Sequence, residues 1–416
     1  MVDEPRQVAP EPEAVVHRQE LRRLRDDVVA ALRSAGCVAV GVCGVEPLVE
    51  ARRVIEQRKA AGLHGSMEFT YRNPQRSSDP TTALPSARSA VVVAWPYRSD
   101  VAPRPEEPSA SVARYAATDT YDELRGVLGV AGELLEQSGH RAVVVADDNA
   151  LVDRAIALRA GLGWLGKNTN LLVPGEGSWV VIGTVLTDVE LDGMEGTSRR
   201  GGCGNCTRCL PACPTGALVA PGVMDASRCL SWLLQARGSF PRQFRRSLGV
   251  RIYGCDDCQE VCPPNAGSQR VDPPRRVGQA PDQSDARGGP GDWVTLRFLL
   301  ESTDSELLAS LGAWYIPGRD PRFVRRNALV ALGNSECGRD PAALSLLSHY
   351  LRVDDELLVE HAAWAARALG RDDLLRPLEV AARPAVVAER ARPHPRSHPA
   401  LAAGAPTGET GPDARS

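Results

Sequence analysis

The stretch C-G-N-C-T-R-C-L-P-A-C-P, residues 203–214, decides how the rest of this chain is read. Cys203, Cys206, Cys209 and Cys213 fall within it at C-x₂-C-x₂-C-x₃-C-P spacing. A cubane iron–sulfur core needs four thiolates around a compact centre, and two-residue spacers let one loop supply three of them. The proline ends the loop and turns the chain away. Where two such clusters share a chain, the fourth cysteine of the run serves the other cluster, so a second set should follow. Cys255, Cys258 and Cys262 supply it in C-D-D-C-Q-E-V-C-P, with Cys229 upstream.

By the logic of bacterial ferredoxins, Cys203, Cys206, Cys209 and Cys262 share one [4Fe–4S] cluster. Cys213, Cys229, Cys255 and Cys258 then hold the other, with Cys229 on a longer loop than a plain ferredoxin uses. Zinc is the competing reading, because C-x₂-C pairs also build zinc ribbons. A zinc site, however, has no use for a third cysteine at the same spacing. A disulfide framework suits short secreted chains rather than one of 416 residues. Of the remaining cysteines, Cys37 and Cys43 sit in an apolar stretch and read as small buried hydrophobes, while Cys337 stands alone.

The length allows two or three domains, and 43% hydrophobic with 24% charged residues is a globular composition. A formal net charge of −3 gives no bulk affinity for nucleic acid, so any such site must be a local patch. The start, M-V-D-E-P-R-Q-V-A-P-E-P, is acidic and Pro-rich, unlike a signal peptide or anchor. No run reaches the length of a membrane span. The expectation is a cytoplasmic protein without a membrane partner.

Residues 1–15 are expected to be disordered. From 16 to 195, helical patterns alternate with short β-branched runs such as A-V-V-V-A-W-P-Y and S-W-V-V-I-G-T-V-L-T-D, which implies an α/β domain. Residues 196–266 form the ferredoxin-like two-cluster segment, and 267–291 read as a linker rich in Gly, Pro and Asp. From 292 to 381 the pattern is all helical. D-P-R-F-V-R-R-N-A-L-V-A-L-G-N and D-E-L-L-V-E-H-A-A-W-A-A-R-A-L-G share an acidic start and an L-G end, as HEAT-like repeats do. A disordered tail is expected over 382–416. A simple electron carrier needs little more than its clusters, so the large first domain points to a second redox centre there.

Five segments together are similar to the epoxyqueuosine reductase family: G-L-H-G-S-M at 62–67, A-L-P-S-A-R-S-A-V-V-V-A at 83–94, R-A-G-L-G-W-L-G-K-N-T-N-L at 159–171, the first cysteine run, and Y-G-C-D-D-C-Q-E-V-C-P at 253–263. The resemblance runs from about residue 20 to 380. It implies a cobalamin-binding first domain related to reductive dehalogenases, a two-cluster module beside it, and a HEAT-like domain that helps hold tRNA. It implies reduction of the epoxide of epoxyqueuosine in tRNA to queuosine, fed by an external donor such as flavodoxin or ferredoxin. It also implies a general acid ahead of the A-G-L-G-W helix. Counting back from Asp153 and Arg154, which match a Glu-Arg pair of the family, places that acid at Asp147, with Asp148 as the alternative should the register slip by one. Read from the residues alone, A-D-D-N is an ordinary solvated turn after a strand. Gly163, Trp164, Gly166 and Lys167 are expected at the cofactor pocket, since a Gly-rich turn lets backbone approach a bulky ligand. His64 is a candidate there or a structural histidine.

Six arginines and no acid lie between Ser227 and Cys255: Arg228, Arg237, Arg242, Arg245, Arg246 and Arg251. With Arg322, Arg325 and Arg326 they form either an RNA-binding patch or an ordinary cationic face. The chain departs from the family at 114–122, R-Y-A-A-T-D-T-Y-D, where Thr120 and Asp122 replace an Asp and a His. C-P-P-N after the last cysteine and S-W-L-L-Q-A after Cys229 are further departures. They leave open a cobalamin and iron–sulfur reductase of a small molecule, or a ferredoxin-type carrier.

Overall fold

The β-branched runs form a four-stranded sheet in the spatial order Ala39–Gly44, Ser89–Pro96, Val180–Thr187, Ala142–Ala146. The computed structural model describes residues 12–97, 101–193, 201–266, 290–377 and 383–395. Ser89–Pro96 is buried along its whole length because both sheet faces are covered. Alternate side chains go to opposite faces, as strand geometry requires. Val91, Val93 and Trp95 join a core with Leu32 of helix Pro12–Ser34 and with Leu124 and Leu128 of helix Thr120–Gln137. Ala90, Val92 and Ala94 join another with Ile156 and Ala157 of helix Asp153–Arg159. Gly183 is needed at the first interface, since a Cβ there would stand 2.6 Å from Leu128 Cδ1.

All three strand pairings of this sheet are antiparallel. Alternation of helix and strand ordinarily builds a parallel sheet, and here it does not. The connections between neighbouring strands are long enough for the chain to return in either direction, so alternation does not fix strand polarity. The domain is mixed helix and sheet with antiparallel pairing.

The expected break between the cysteine segment and the helical region is not a break in the core. Leu230, Phe240, Leu248 and Ile252 pack in one apolar cluster with Leu299, Leu329, Val359 and Trp364. A second sheet crosses the same boundary: Ser109–Val112 pairs in parallel with Arg251–Tyr253 and antiparallel with Trp293–Thr295. The helical region therefore opens on a strand, which the all-helical reading from 292 missed because three residues carry no period. Helix Arg322–Asn334 packs against Glu356–Ala368, close enough that a Cβ on Gly333 would stand 2.7 Å from the Trp364 ring. Asp340 and Asp355 cap successive helices by accepting from Ala342 N and Leu358 N.

The tail is a correction. Pro384–Arg390 is a helix rather than disordered chain, and its Glu389 is 1% exposed. Arg242 forks onto both Glu389 oxygens at 2.8 and 3.0 Å, and Arg367 reaches Oε1 at 3.2 Å. A Pro- and Ala-rich composition looks disordered until that one carboxylate finds two guanidiniums. Residues 1–11, 267–289 and 396–416, covering most of the expected disorder and the linker, lie outside the described residues. No described helix is long and apolar enough to cross a membrane.

Candidate functional site

The fold gathers the eight cysteines into two groups. Cys209 and Cys262 are buried, and burial pushes both thiols up; each is raised further by Cys203 and Cys206 beside it. Cys229 and Cys258 are likewise raised by burial first and then by Cys213, and Cys255 by burial and then by Asp257, with Cys229 adding to it. Cys203, Cys206, Cys209 and Cys262 are thus neighbours, as are Cys213, Cys229, Cys255 and Cys258, with Cys209 also acting on Cys258. Four thiolates this close repel, a repulsion that a cationic iron–sulfur core would relieve. All eleven cysteines are free thiols. No trio of His, Cys, Asp or Glu among the described residues closes tightly enough for a single metal ion. Backbone amides already point at sulfur: Lys167 N to Cys203 Sγ at 3.4 Å and Ala217 N to Cys213 Sγ at 3.2 Å.

The first domain grips this segment directly. Asn168 donates to Cys258 O at 3.2 Å, and Lys167 Nζ to Gly204 O at 2.7 Å. Asn265, three residues after Cys262, accepts from Ser178 N at 2.6 Å and donates to Gln259 O at 2.7 Å. Arg114 lies over the Trp179 ring and pairs with Asp256 and Glu260. The run G-L-G-W-L-G-K-N therefore does something the sequence did not show. Its glycines are required by the chain itself: a Cβ on Gly163 would stand 2.0 Å from Leu172 O, and one on Gly166 2.4 Å from Asn168 Oδ1. They close the short hairpin of Trp164–Leu165 with Leu171–Leu172, which aims Lys167 and Asn168 at the cysteine loops.

Asp147 stands at the end of strand Ala142–Ala146 with a left-handed φ of 51°, unusual outside glycine. The surrounding protein raises its carboxyl, Arg125 opposes the shift and Asp148 adds to it. The residue remains open to solvent on one side, so the wall around it rather than full burial sets that direction. Asp148 is differently employed: its Oδ1 accepts from Ala150 N at 2.7 Å, closing the turn. Asp153 is pushed up to about 8 by burial, with Asp147 next in effect, and its Oδ1 has no partner. Arg154 donates to Thr169 O at 2.6 Å. Tyr121 is raised by burial and then by Asp147 and Asp153, so it lies within electrostatic reach of the same group. Sequence reasoning gave Tyr121 no role, although it sits inside the departing 114–122 stretch. There, Thr120 is buried and donates to Tyr115 O at 3.0 Å, and Asp119 caps the helix by accepting from Asp122 N.

Two sequence candidates sit between the sheet domain and the cysteine loops with buried polar atoms lacking partners: His64 Nδ1 and Trp164 Nε1. Leu63 O accepts from Ala226 N at 2.8 Å, so the His64 loop is stitched to the cysteine segment. The amide-fringed periphery of a corrin is the kind of group that would satisfy such atoms, and the residues present fit it.

The arginine patch is largely internal. Arg245 and Arg326 are fully buried. Arg242 holds Glu389, Arg251 holds Asp257, Arg325 holds Asp304, and Arg322 holds Asp320 and Asp355. Arg246 donates to Asn334, and Arg228 to Thr215 O. Most of these side chains are engaged within the protein, several of them joining the cysteine segment to the helical region, while Arg237 and Arg322 are exposed.

Residues 202–265 match the model of a 4Fe-4S double cluster binding domain. The Vibrio cholerae epoxyqueuosine reductase is 35% identical over 341 residues, 79% of this chain and 88% of that protein. The Bacillus subtilis epoxyqueuosine reductase is 31% identical over 86% of this chain and 91% of its own length. Among solved structures, an epoxyqueuosine reductase bound to an epoxyqueuosine-modified tRNA-Tyr stem loop superposes with a TM-score of 0.76 at 29% identity, covering 87% of this chain and 94% of that one. A Bacillus subtilis structure whose Asp-bearing catalytic loop is swung out of the active site superposes at 0.75, with 29% identity and the same coverage. With two thiol groups, an acid loop and a relative this similar over most of both chains, the protein belongs to the epoxyqueuosine reductase family.

Proposed function

We propose that this enzyme reduces the epoxide of epoxyqueuosine in tRNA to the alkene of queuosine, with Asp147 as proton donor. The observation that carries the reading is Asp147 itself: a carboxyl raised by its surroundings and held in a left-handed turn, in a chain whose residues 202–265 match a 4Fe-4S double cluster binding domain. The overall change consumes two electrons and two protons and releases the epoxide oxygen as water. Bound between the sheet domain and the cysteine loops, cobalamin would supply a strongly reducing cobalt centre. Cys203, Cys206, Cys209 and Cys262 would hold one [4Fe–4S] cluster and Cys213, Cys229, Cys255 and Cys258 the second, relaying single electrons from an external carrier.

The chain's own part is proton delivery and orientation. The epoxide oxygen becomes a poor leaving group unless it is protonated as its bond breaks. Asp147 offers that proton from a carboxyl whose neutral form the site favours. Asp153, neutral below about pH 8, stands behind it and limits the negative charge in the group. Ala150 N fixes the turn through Asp148, so that Asp147 and not its neighbour is free to face the substrate. His64 and Trp164 would orient the cofactor, while Lys167 belongs to the Cys203 loop, and Gly163 and Gly166 shape the hairpin behind it. The paired helices from Arg322 onward are read as HEAT-like repeats. A tRNA substrate sets the reaction in the cytoplasm.

The test is anaerobic turnover of epoxyqueuosine-containing tRNA with reconstituted protein, cobalamin and a low-potential reductant. Queuosine in the digested product is the expected result. Unchanged epoxide beside a working control enzyme would overturn the assignment.

A further inference from the structure

Beside the acid loop lies a basic hollow of about 310 Å³, lined by Phe69, Arg72, Asn73, Arg76, Ser77 and Asn149. It is locally built. Asn73 caps the short helix Pro74–Ser77 by accepting from Arg76 N at 3.1 Å, which turns Arg72 and Arg76 toward the same space. Stretch 69–77 holds two arginines and no acid. Arg52 brings a third guanidinium alongside by reaching Gln75 from the neighbouring helix Val49–Ala60. The nearby acids are Glu68, exposed at the start of helix Phe69–Arg72, Glu50, which pairs with Arg53, Asp79, which accepts from Thr81, and Asp147 and Asp148 on the loop of Asn149. Phe69 is 44% exposed at the rim, an open aromatic ring.

The far wall is Asn149, two residues from Asp147. Arg76 Nη1 donates to Asn149 Oδ1 at 2.8 Å, and Ser77 Oγ donates to Asn149 O at 2.6 Å. Whatever enters the hollow therefore touches the loop that carries the acid. Guanidiniums for a phosphate, amides for polar edges and an open ring for stacking are the chemistry of a nucleic-acid strand.

We propose that this hollow seats the RNA strand next to the nucleotide being reduced, with a phosphodiester at Arg72 and Arg76 and a base on Phe69. The inference rests on the tRNA reading above and moves the RNA contact away from the arginines between 228 and 326. It also gives an acidic protein the local cationic site it needs.

The test is binding of an epoxyqueuosine-bearing anticodon stem-loop to full-length, cluster-reconstituted protein over a series of salt concentrations. Arg72→Ala should weaken binding roughly tenfold and flatten the dependence of log affinity on log salt by about one unit. Arg72→Lys should restore the slope. Phe69→Ala should weaken binding with the slope unchanged, because stacking releases no counterions. Both side chains are exposed, and matching iron content with the unmodified protein checks the fold. If the unmodified protein binds and both alanine variants bind equally well with the same slope, the hollow is not the RNA seat and the enzymatic reading stands. If the unmodified protein binds no stem-loop RNA, both fall.

Discussion

Asp147 and Asp148 show how two adjacent, identical side chains receive different work. Asp148 satisfies a backbone amide and serves the turn. Asp147 is held in a conformation that costs energy and in a setting that favours its proton. Strain of this kind persists only where the surrounding structure imposes it. Asp147→Asn should lower turnover about 10²- to 10⁴-fold while iron content and RNA affinity stay unchanged. The sign of the pH dependence follows from the raised carboxyl. The acid is active when protonated, so single-turnover rate should be highest on the acidic side and fall as pH rises through the shifted value. A profile that rises with pH in the unmodified enzyme would exclude Asp147 as donor.

At the scale of elements, Arg326 joins two regions that look separate in the sequence. From helix Arg322–Asn334 it donates to the carbonyls of Leu233, Leu234, Ala236 and Gly238 at 2.6–3.3 Å, the C-terminal end of helix Leu230–Gln235. A helix end leaves its last carbonyls without partners, and a cation there is favoured by the dipole as well. Burial, with Arg245 nearby, lowers this guanidinium to about 9, still above neutral pH, so a charged group is buried among those carbonyls. Arg326→Leu removes the donors and leaves buried acceptors behind, which should cost about 3 kcal/mol or more. Exposed Arg322→Ala should cost less than about 1 kcal/mol. Urea melts followed by far-UV dichroism give both values, and equal losses would refute the strut. The S-W-L-L-Q-A departure falls on this helix, so it is accommodated by backbone carbonyls that any side chains would present.

Over the whole molecule, the cysteine segment is less a separate module than the hinge-pin between the sheet domain and the helices. Asn168, Asn265 and Arg114 hold it from one side, and Arg245, Arg326 and the shared core from the other. Each proposed cluster set also combines the two cysteine runs: Cys262 would close the first set, and Cys213 the second. Cys262→Ala and Cys255→Ala should therefore each lose about half of the bound iron, from different clusters, with distinct electron paramagnetic resonance signals remaining. Loss of all the iron from either variant would mean the sets are not independent. The sequence by itself determined the cluster chemistry, because thiolate spacing within a loop is a local property. It also held the strand runs, whose alternation is local, and through its resemblance the acid proposed at Asp147. Only the tertiary structure decided that the sheet is antiparallel, that the arginines between 228 and 326 are mostly engaged within the protein, that Glu389 anchors helix Pro384–Arg390, and that Tyr121 and Asp153 stand near Asp147. Each of these depends on which distant groups meet, and a guanidinium reads the same in sequence whether it will face a phosphate or a buried carbonyl.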